Sequence, residues 1–399
     1  MFLLLGIMRK VTDVSRMSVD REAGLVYDTQ MQRIWWSVLL VLLAALLSAQ
    51  DLAVSRRHGS VALPRPLVGA IRWDAWHGKQ GVPGRAVEAS LSPAKWHYRL
   101  PFFAQVVAES EVSIDGASQE VMDREIAYAK QAGLDYWAFV TYDESDPMSL
   151  GLRHYLASSH RGDIHFCQIV TYQPGSYREQ IARTARLMRN PAYQKVLDGR
   201  PLLYVAFFIQ AQQLKAPGAA AGYRKMLDEL RGLAREGGAG DPYIVAMDFD
   251  PARTADLRAQ VGGDAIGSYA TQNNEAAAPY SALAAAAQRF WDRSKATGSN
   301  VVPIVMSGWD RRPRVERPVP WEKQAPGAGL DKYYEAPTPL ELAAHLERSL
   351  LWIQDNPASC PAKLALIYAW NENDEGGWLV PTLDEGTARL DAIARILRR

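Results

Sequence analysis

Short apolar runs rich in Val, Ile and Tyr alternate along this chain with longer stretches of helical period. The runs fall at 67–73, 135–142, 164–172, 201–207, 243–249, 264–270, 301–309 and 363–370. Between them, apolar residues recur every three to four positions at 118–133, 176–190, 220–238, 339–357 and 384–399, predicting amphipathic helices. Val121, Ile126 and Ala129 share one face of the first helix. Tyr223, Met226, Leu227, Leu230 and Leu233 form one stripe of the third, which ends on Gly237 and Gly238. Such stripes face a core, and no function is read from them.

Eight apolar strands separated by helices predict a parallel sheet. Eight is also the number that closes a (β/α)8 barrel over ~250 residues or more. An open, doubly wound sheet would want a glycine-rich phosphate turn after an early strand. Neither GxGxxG nor GxxxxGK[ST] occurs. The predicted fold is therefore α/β, a TIM barrel spanning 67–399.

Function in a barrel gathers on the loops that leave the C-terminal ends of the strands. The first strand ends in Arg72, Trp73, Asp74, Trp76 and His77, and the second in Tyr142, Asp143 and Glu144. The third ends in Tyr172 and Gln173, the fifth in Asp248 and Asp250, and the sixth in Gln272, Asn273 and Asn274. The seventh ends in Trp309, Asp310, Arg311 and Arg314. The eighth carries "AWNENDEGGWLVPT", with Trp370, Asn371, Glu372, Glu375 and Trp378. Trp and Tyr faces stack on the apolar faces of sugar rings. Asp, Asn, Gln and Arg bind hydroxyl groups. A pair of carboxylates can cleave a glycosidic bond, one protonating the departing oxygen while the other acts on the second reactant.

Residues i and i+3 face opposite ways on a strand and the same way in a helical turn. Glu372 and Glu375 thus converge only if the chain leaves the strand near Asn371, a bend that Gly376 and Gly377 suit. In an apolar mouth two close carboxylates do not ionise equally. Against this stands an ordinary solvated acidic loop. Asp374, between the two, reads as structural or solvated.

Composition narrows the alternatives. Lys and Arg total 45 against 44 Asp and Glu, so no charge excess points to nucleic acid. The 12 Trp and 17 Tyr are many, though a large core absorbs such a number. With no CxxC, HxH or HExxH spacing, no metal and no other cofactor is expected. His77 beside Asp74 is the one compact metal candidate, and alone it reads as a sugar donor or a rim histidine. Cys167 and Cys360 read as buried thiols, with a disulfide between them left open.

The stretch beginning at Met31 carries Arg33, an apolar run at 34–47 and then Ser48 and Ala49. This is the grammar of a secretory signal, shorter than the ~20 residues of a membrane span. Residues 31–50 therefore predict a signal peptide or signal anchor, and an exported protein. Residues 1–30 read as sequence upstream of the true start or as a short tail, and 51–66 as a linker.

The eighth-strand motif resembles the W-N-E-x-x-E-G-x-x-x-x-P signature of glycoside hydrolase family 99 and its WbsX-type relatives. "SGWDRRPR" at 307–314 is similar to the W-D-x-x-x-R motif of the WbsX-type proteins. "AFVTY" and "GRPLLYVAF" stand where those proteins carry their second and fourth strands. The resemblance covers about residues 67 to 396. It implies a (β/α)8 barrel and retaining, endo-acting hydrolysis of a glycan. It further implies that Glu372 deprotonates the sugar 2-hydroxyl while Glu375 serves as acid and then base. Two features depart from the family. The first strand ends in "AIRWDAWHG" rather than a tyrosine-rich stretch, and Asn373 and Asp374 replace the usual aromatic between the glutamates. Mannose is therefore not assumed as the sugar.

These readings together predict an exported glycoside hydrolase using Glu372 and Glu375. The rivals are a polysaccharide-biosynthesis factor or glycosyltransferase of the WbsX type, which would require a sugar nucleotide, and a glycan-binding barrel without turnover.

Overall fold

The computed structural model describes residues 65–398, apart from 77–80, 173–176, 211–213, 215, 217, 274–275, 324 and 326. The predicted signal at 31–50 and nearly all of the predicted linker lie outside the described residues. Arg65, placed in that linker from sequence, instead clamps the barrel. Its guanidinium donates to Asp135 at 2.6 and 3.1 Å, and Asp135 also accepts from the Val68 amide at 2.7 Å.

All eight predicted strands form. They are β1 Leu67–Arg72, β2 Tyr136–Val140, β3 His165–Val170, β4 Arg200–Ala206, β5 Tyr243–Met247, β6 Ala265–Gly267, β7 (Asn300–Val301 and Ile304–Met306) and β8 Leu364–Tyr368. Each is almost wholly buried, as expected of parallel strands covered on both faces. Neighbours pair in parallel from β1 through β6, and β8 pairs back onto β1.

The ring closes through a broken strand. Asn300 and Val301 pair with β6, while Ile304 to Met306 pair with β8. Pro303, which lacks an N–H, stands at the break. The ladder bridges it, with Val302 N donating to Ile266 O at 2.9 Å and Leu366 N donating to Pro303 O at 3.0 Å. The result is the predicted (β/α)8 barrel.

Large side chains fill the interior. The Tyr136 and Tyr204 hydroxyls meet at 2.8 Å, and the Tyr136 ring lies over Gly69, where a Cβ would come within 2.2 Å of it. Trp137, Phe139, Tyr155, Phe166 and Tyr193 make a further run of ring contacts. The helices begin and end on local signals. Ser118 caps Gln119–Ala132, which stops on Gly133 at φ 81. Thr338 and Glu341 form a reciprocal capping box at the start of Pro339–Asp355. The stripe predicted for Ala219–Glu236 needs one correction: Ala234 is buried, while Leu233 is 39% exposed. Cys167 and Cys360 are buried free thiols.

Candidate active site

Beyond β8 the chain folds back on itself. Asn371 and Glu372 pair antiparallel with Gly377 and Trp378 around one helical turn at Asn373–Glu375. Gly376 closes the turn at φ +83, where a Cβ would stand 2.5 Å from the Asp310 amide. The Asp310 amide itself donates to Glu375 O at 2.6 Å, fastening the hairpin to the loop after β7. Glu372 and Glu375 thereby come to one side. Glu372, Asp374 and Glu375 are 3%, 0% and 8% exposed, which removes the reading of a solvated acidic loop.

Tyr368, the last residue of β8, joins the pair. Its hydroxyl hydrogen-bonds Glu375 Oε2 and lies 3.5 Å from Glu372 Oε2. The other oxygen of Glu372 receives the Tyr269 hydroxyl from the end of β6. Ser307, after β7, holds the strand end in place: its amide and hydroxyl donate to Tyr368 O at 2.7 and 2.6 Å.

The charges around the two glutamates differ. Arg314 donates through Nε and Nη2 to Asp374 at 2.6 and 3.1 Å, and through Nη1 to Glu375 Oε1. Arg311 Nε stands 3.3 Å from the same Glu375 oxygen, close enough for attraction but off-axis for a hydrogen bond. Glu322 takes both arginines, Arg314 at 3.1 Å. Burial works to raise the Glu375 carboxyl, but Arg314, Arg311 and the Tyr368 hydroxyl outweigh it and hold it below its ordinary value. Burial, followed by the charge of Glu375, pushes Glu372 well above its own. The two neighbours are thus pushed apart, Glu372 upward and Glu375 downward.

Aromatic rings border the pair. Trp73 Nε1 donates to the Tyr142 hydroxyl at 2.7 Å, and both residues are partly exposed. Burial raises Tyr142 to about 12, with Glu372 adding to the effect, so the phenol stays neutral. Trp309, also partly exposed, packs its ring 5.5 Å from Tyr368. Phe208 and Tyr269 meet at 5.5 Å, and Phe249 stands 4.8 Å from Phe208 with half its surface open. Trp321 stands edge-on to Trp73 at 5.7 Å, with Arg314 against both rings.

Most other residues expected to bind substrate are buried in contacts of their own. Asp74 is buried against Arg72 at 2.7 Å and accepts from Asn371 Nδ2 at 3.2 Å; burial raises it to about 6. Asn371 accepts from the Trp73 amide at 2.9 Å, and its carbonyl accepts from Trp76 Nε1 at 3.0 Å, so Asn371 and Trp76 lace β1 to β8. Trp370 is fully buried and donates to Glu125 at 2.8 Å. Trp378 is buried beneath Arg389, 3.7 Å from its ring centre. Asp248 is buried and paired with Arg253 at 3.0 Å. Asp310 is gripped by Arg99 and Arg312, and Arg314 serves carboxylates rather than solvent. Tyr172 is buried at the end of β3, where its carbonyl accepts from Tyr223. Gln272 is exposed. His77, Gln173 and Asn274 fall outside the described residues.

Sequence reasoning placed Arg311 at the rim without a role and omitted Tyr269, Tyr368, Glu322 and Trp321 as site residues. Tyr269 and Tyr368 occupy the ends of predicted strands, so reading the strand ends themselves, and not only the loops beyond them, would have found both. Nothing in the sequence marks Glu322 or Trp321.

No protein-family profile matches this chain, and no curated protein sequence matches it. Among solved structures it is similar to the GH99 endo-alpha-mannosidase from Bacteroides thetaiotaomicron, seen in two structures, one a complex with bis-tris-propane. In each case the TM-score is 0.53 at 14% identity, over 84% of this chain and 98% of the other. The barrel is similar in fold to that of this enzyme. The likeness runs through the whole barrel and agrees with the resemblance carried by "WNENDEGG".

Proposed function

We propose that the protein is a glycoside hydrolase that acts on an oligo- or polysaccharide with retention of anomeric configuration, using Glu372 and Glu375. The observation that carries this is the Tyr368 hydroxyl, which touches an oxygen of each glutamate. The two carboxyls therefore lie within about 6 Å of each other, too near to seat the water that an inverting pair keeps between them. The opposite directions in which their surroundings push the two carboxyls suit an acid and an ionised partner in one site. Trp73, Tyr142 and Trp309 offer rings for a sugar face at the same place. The fold shared with an endo-alpha-mannosidase supports hydrolysis, while the departures at Asn373, Asp374 and the end of β1 leave the sugar itself to experiment. On this reading the apolar segment at 34–47 is an export signal and the substrate is met outside the cytoplasm.

The test is a glycan panel incubated with wild type, Glu372→Gln and Glu375→Gln, with products analysed by chromatography and anomeric NMR. Expected are cleavage with retention by wild type and a loss of about 10³-fold or more in each variant. Full rate in both variants would remove the assignment.

A further inference from the structure

Trp321 is a large apolar ring left in the open beside the site. It is 41% exposed, and among the described residues it is the only exposed tryptophan. Its mount is not that of a loose loop residue. Pro318 and Pro320 restrict the backbone on either side of Val319. Val319 is buried, and its carbonyl accepts from the Glu322 amide at 3.2 Å, closing a turn around Trp321. Glu322, next in the chain, is paired with Arg311 and, at 3.1 Å, with Arg314. Arg314 is itself held by Asp374 at 2.6 and 3.1 Å. The ring is thus fixed from both sides of its turn before any ligand arrives, and little conformational freedom is left to lose on binding.

The place of the ring is equally defined. Trp73 stands 5.7 Å away with its plane turned by 64°, so the two rings form a corner rather than a stack. Arg314 packs against both, at 5.2 and 5.6 Å, and the same guanidinium bonds Glu375. One guanidinium therefore bridges the Trp321 ring and an acid of the pair, so a sugar resting on Trp321 adjoins the sugar whose bond is cut. The charges here are matched to one another, Arg311 and Arg314 to Glu322, Asp374 and Glu375. What the corner offers a ligand is ring surface, which suits a neutral pyranose with an apolar face.

We propose that Trp321 and Trp73 form a subsite for a neutral sugar residue next to the cleaved linkage, and that Glu322 is the positioning residue that ties the Trp321 ring to the arginines serving Glu375. The proposal rests on the hydrolase reading above and adds a specificity to it: glycans long enough to cover Trp321 are preferred over those that end at the cleaved sugar.

The test uses wild-type protein and the oligosaccharides of the panel above. N-bromosuccinimide oxidises exposed indoles, and peptide mass spectrometry locates the oxidised residue. An oligosaccharide at about ten times its Kd is expected to slow oxidation of Trp321 about tenfold. Oxidation of Trp321 that no oligosaccharide slows would overturn the subsite, whatever the activity. Trp321→Ala is expected to raise KM about tenfold with a smaller change in kcat, and Trp321→Phe, which keeps a ring, to recover most of it. Glu322→Ala should raise KM as well and also lower kcat, through the arginines, while Glu322→Gln keeps an acceptor for them and recovers the KM. An unchanged KM in Trp321→Ala overturns the proposal. Protection of Trp321 without cleavage of any glycan would sink the hydrolase reading and leave the subsite standing; cleavage with Trp321 unprotected would sink the subsite alone.

Discussion

Arg314 holds Asp374 by two parallel hydrogen bonds, and that grip decides where its third nitrogen points. The nitrogen left over meets Glu375. A bidentate pair of this kind is specific in direction as well as strong, and a lysine cannot reproduce it. Arg314→Lys should therefore keep the positive charge and lose the aim. We expect kcat to fall at least tenfold and the acid limb of the pH–rate profile to move to higher pH, because a less stabilised Glu375 protonates earlier. Asp374→Asn should cost about 3 kcal/mol in urea unfolding, as expected when a buried ion pair loses one partner.

Gly377 lies against the Tyr368 ring, where a Cβ would come within 2.4 Å. Gly377→Ala should push the ring aside and take its hydroxyl off both glutamates. Activity is expected to fall more than tenfold with only a few degrees lost in Tm. Tyr368→Phe, which removes the hydroxyl and spares the packing, should reproduce most of the kinetic loss. A Gly377→Ala enzyme with unchanged kcat would show that Tyr368 does not position the pair.

Trp73 and Trp309 are partly exposed rings beside the carboxylates, as a sugar-stacking role requires. Replacing either with Ala should raise KM about tenfold with smaller change in kcat, since stacking holds substrate and transition state alike. Trp370→Phe offers the contrast. Its ring is buried and bonded to Glu125, so stability should fall while KM holds.

His345 supplies a pH prediction far from the mouth. It is buried against Trp291, 3.0 Å from the Tyr280 hydroxyl, and burial depresses it to about 3. The unfolded chain binds a proton near pH 6.5 and the folded chain does not, so this residue's contribution is intact above 6.5 and drains away toward pH 3. Between pH 7 and pH 4 the wild type should lose up to about 3 kcal/mol more than His345→Gln. Asp74 works in the other direction. Its carboxyl, raised to about 6, favours the fold below the ordinary aspartate range and loses that advantage as pH rises through 6. Urea midpoints measured across pH 4 to 8 for His345→Gln and Asp74→Asn separate the effects.

The fold was legible because strands buried on both faces leave uninterrupted apolar runs, and the eight runs from "LVGAIRW" to "KLALIYAW" are such strands. Helices were less complete: Val82–Leu91, Leu150–Ala157, Pro251–Val261, Tyr280–Ala296 and Arg312–Glu316 form without being predicted, and of these Pro251–Val261 carries a weak apolar period. At the site, sequence order identifies which residues reach the rim and says nothing of which way each one turns. Asp74, Asn371 and Trp76 reach the rim and then turn to one another. Arg314 and Asp374 are 60 positions apart, and only the closed ring brings them together. The glutamate pair was readable because both members sit in one short hairpin.

The interrupted seventh strand has a consequence for motion. Its ladder with β6 rests on Asn300 and Val301 plus the Val302 amide, whereas its far end is riveted to β8 through Ser307 and Tyr368. Amide hydrogen exchange is expected to be faster at the joint beside β6 than along the β7–β8 ladder. Tyr269, the support of Glu372, stands on one side of that joint; Tyr368, the support of Glu375, stands on the other. One hairpin thus takes its two hydroxyl supports from either side of that joint.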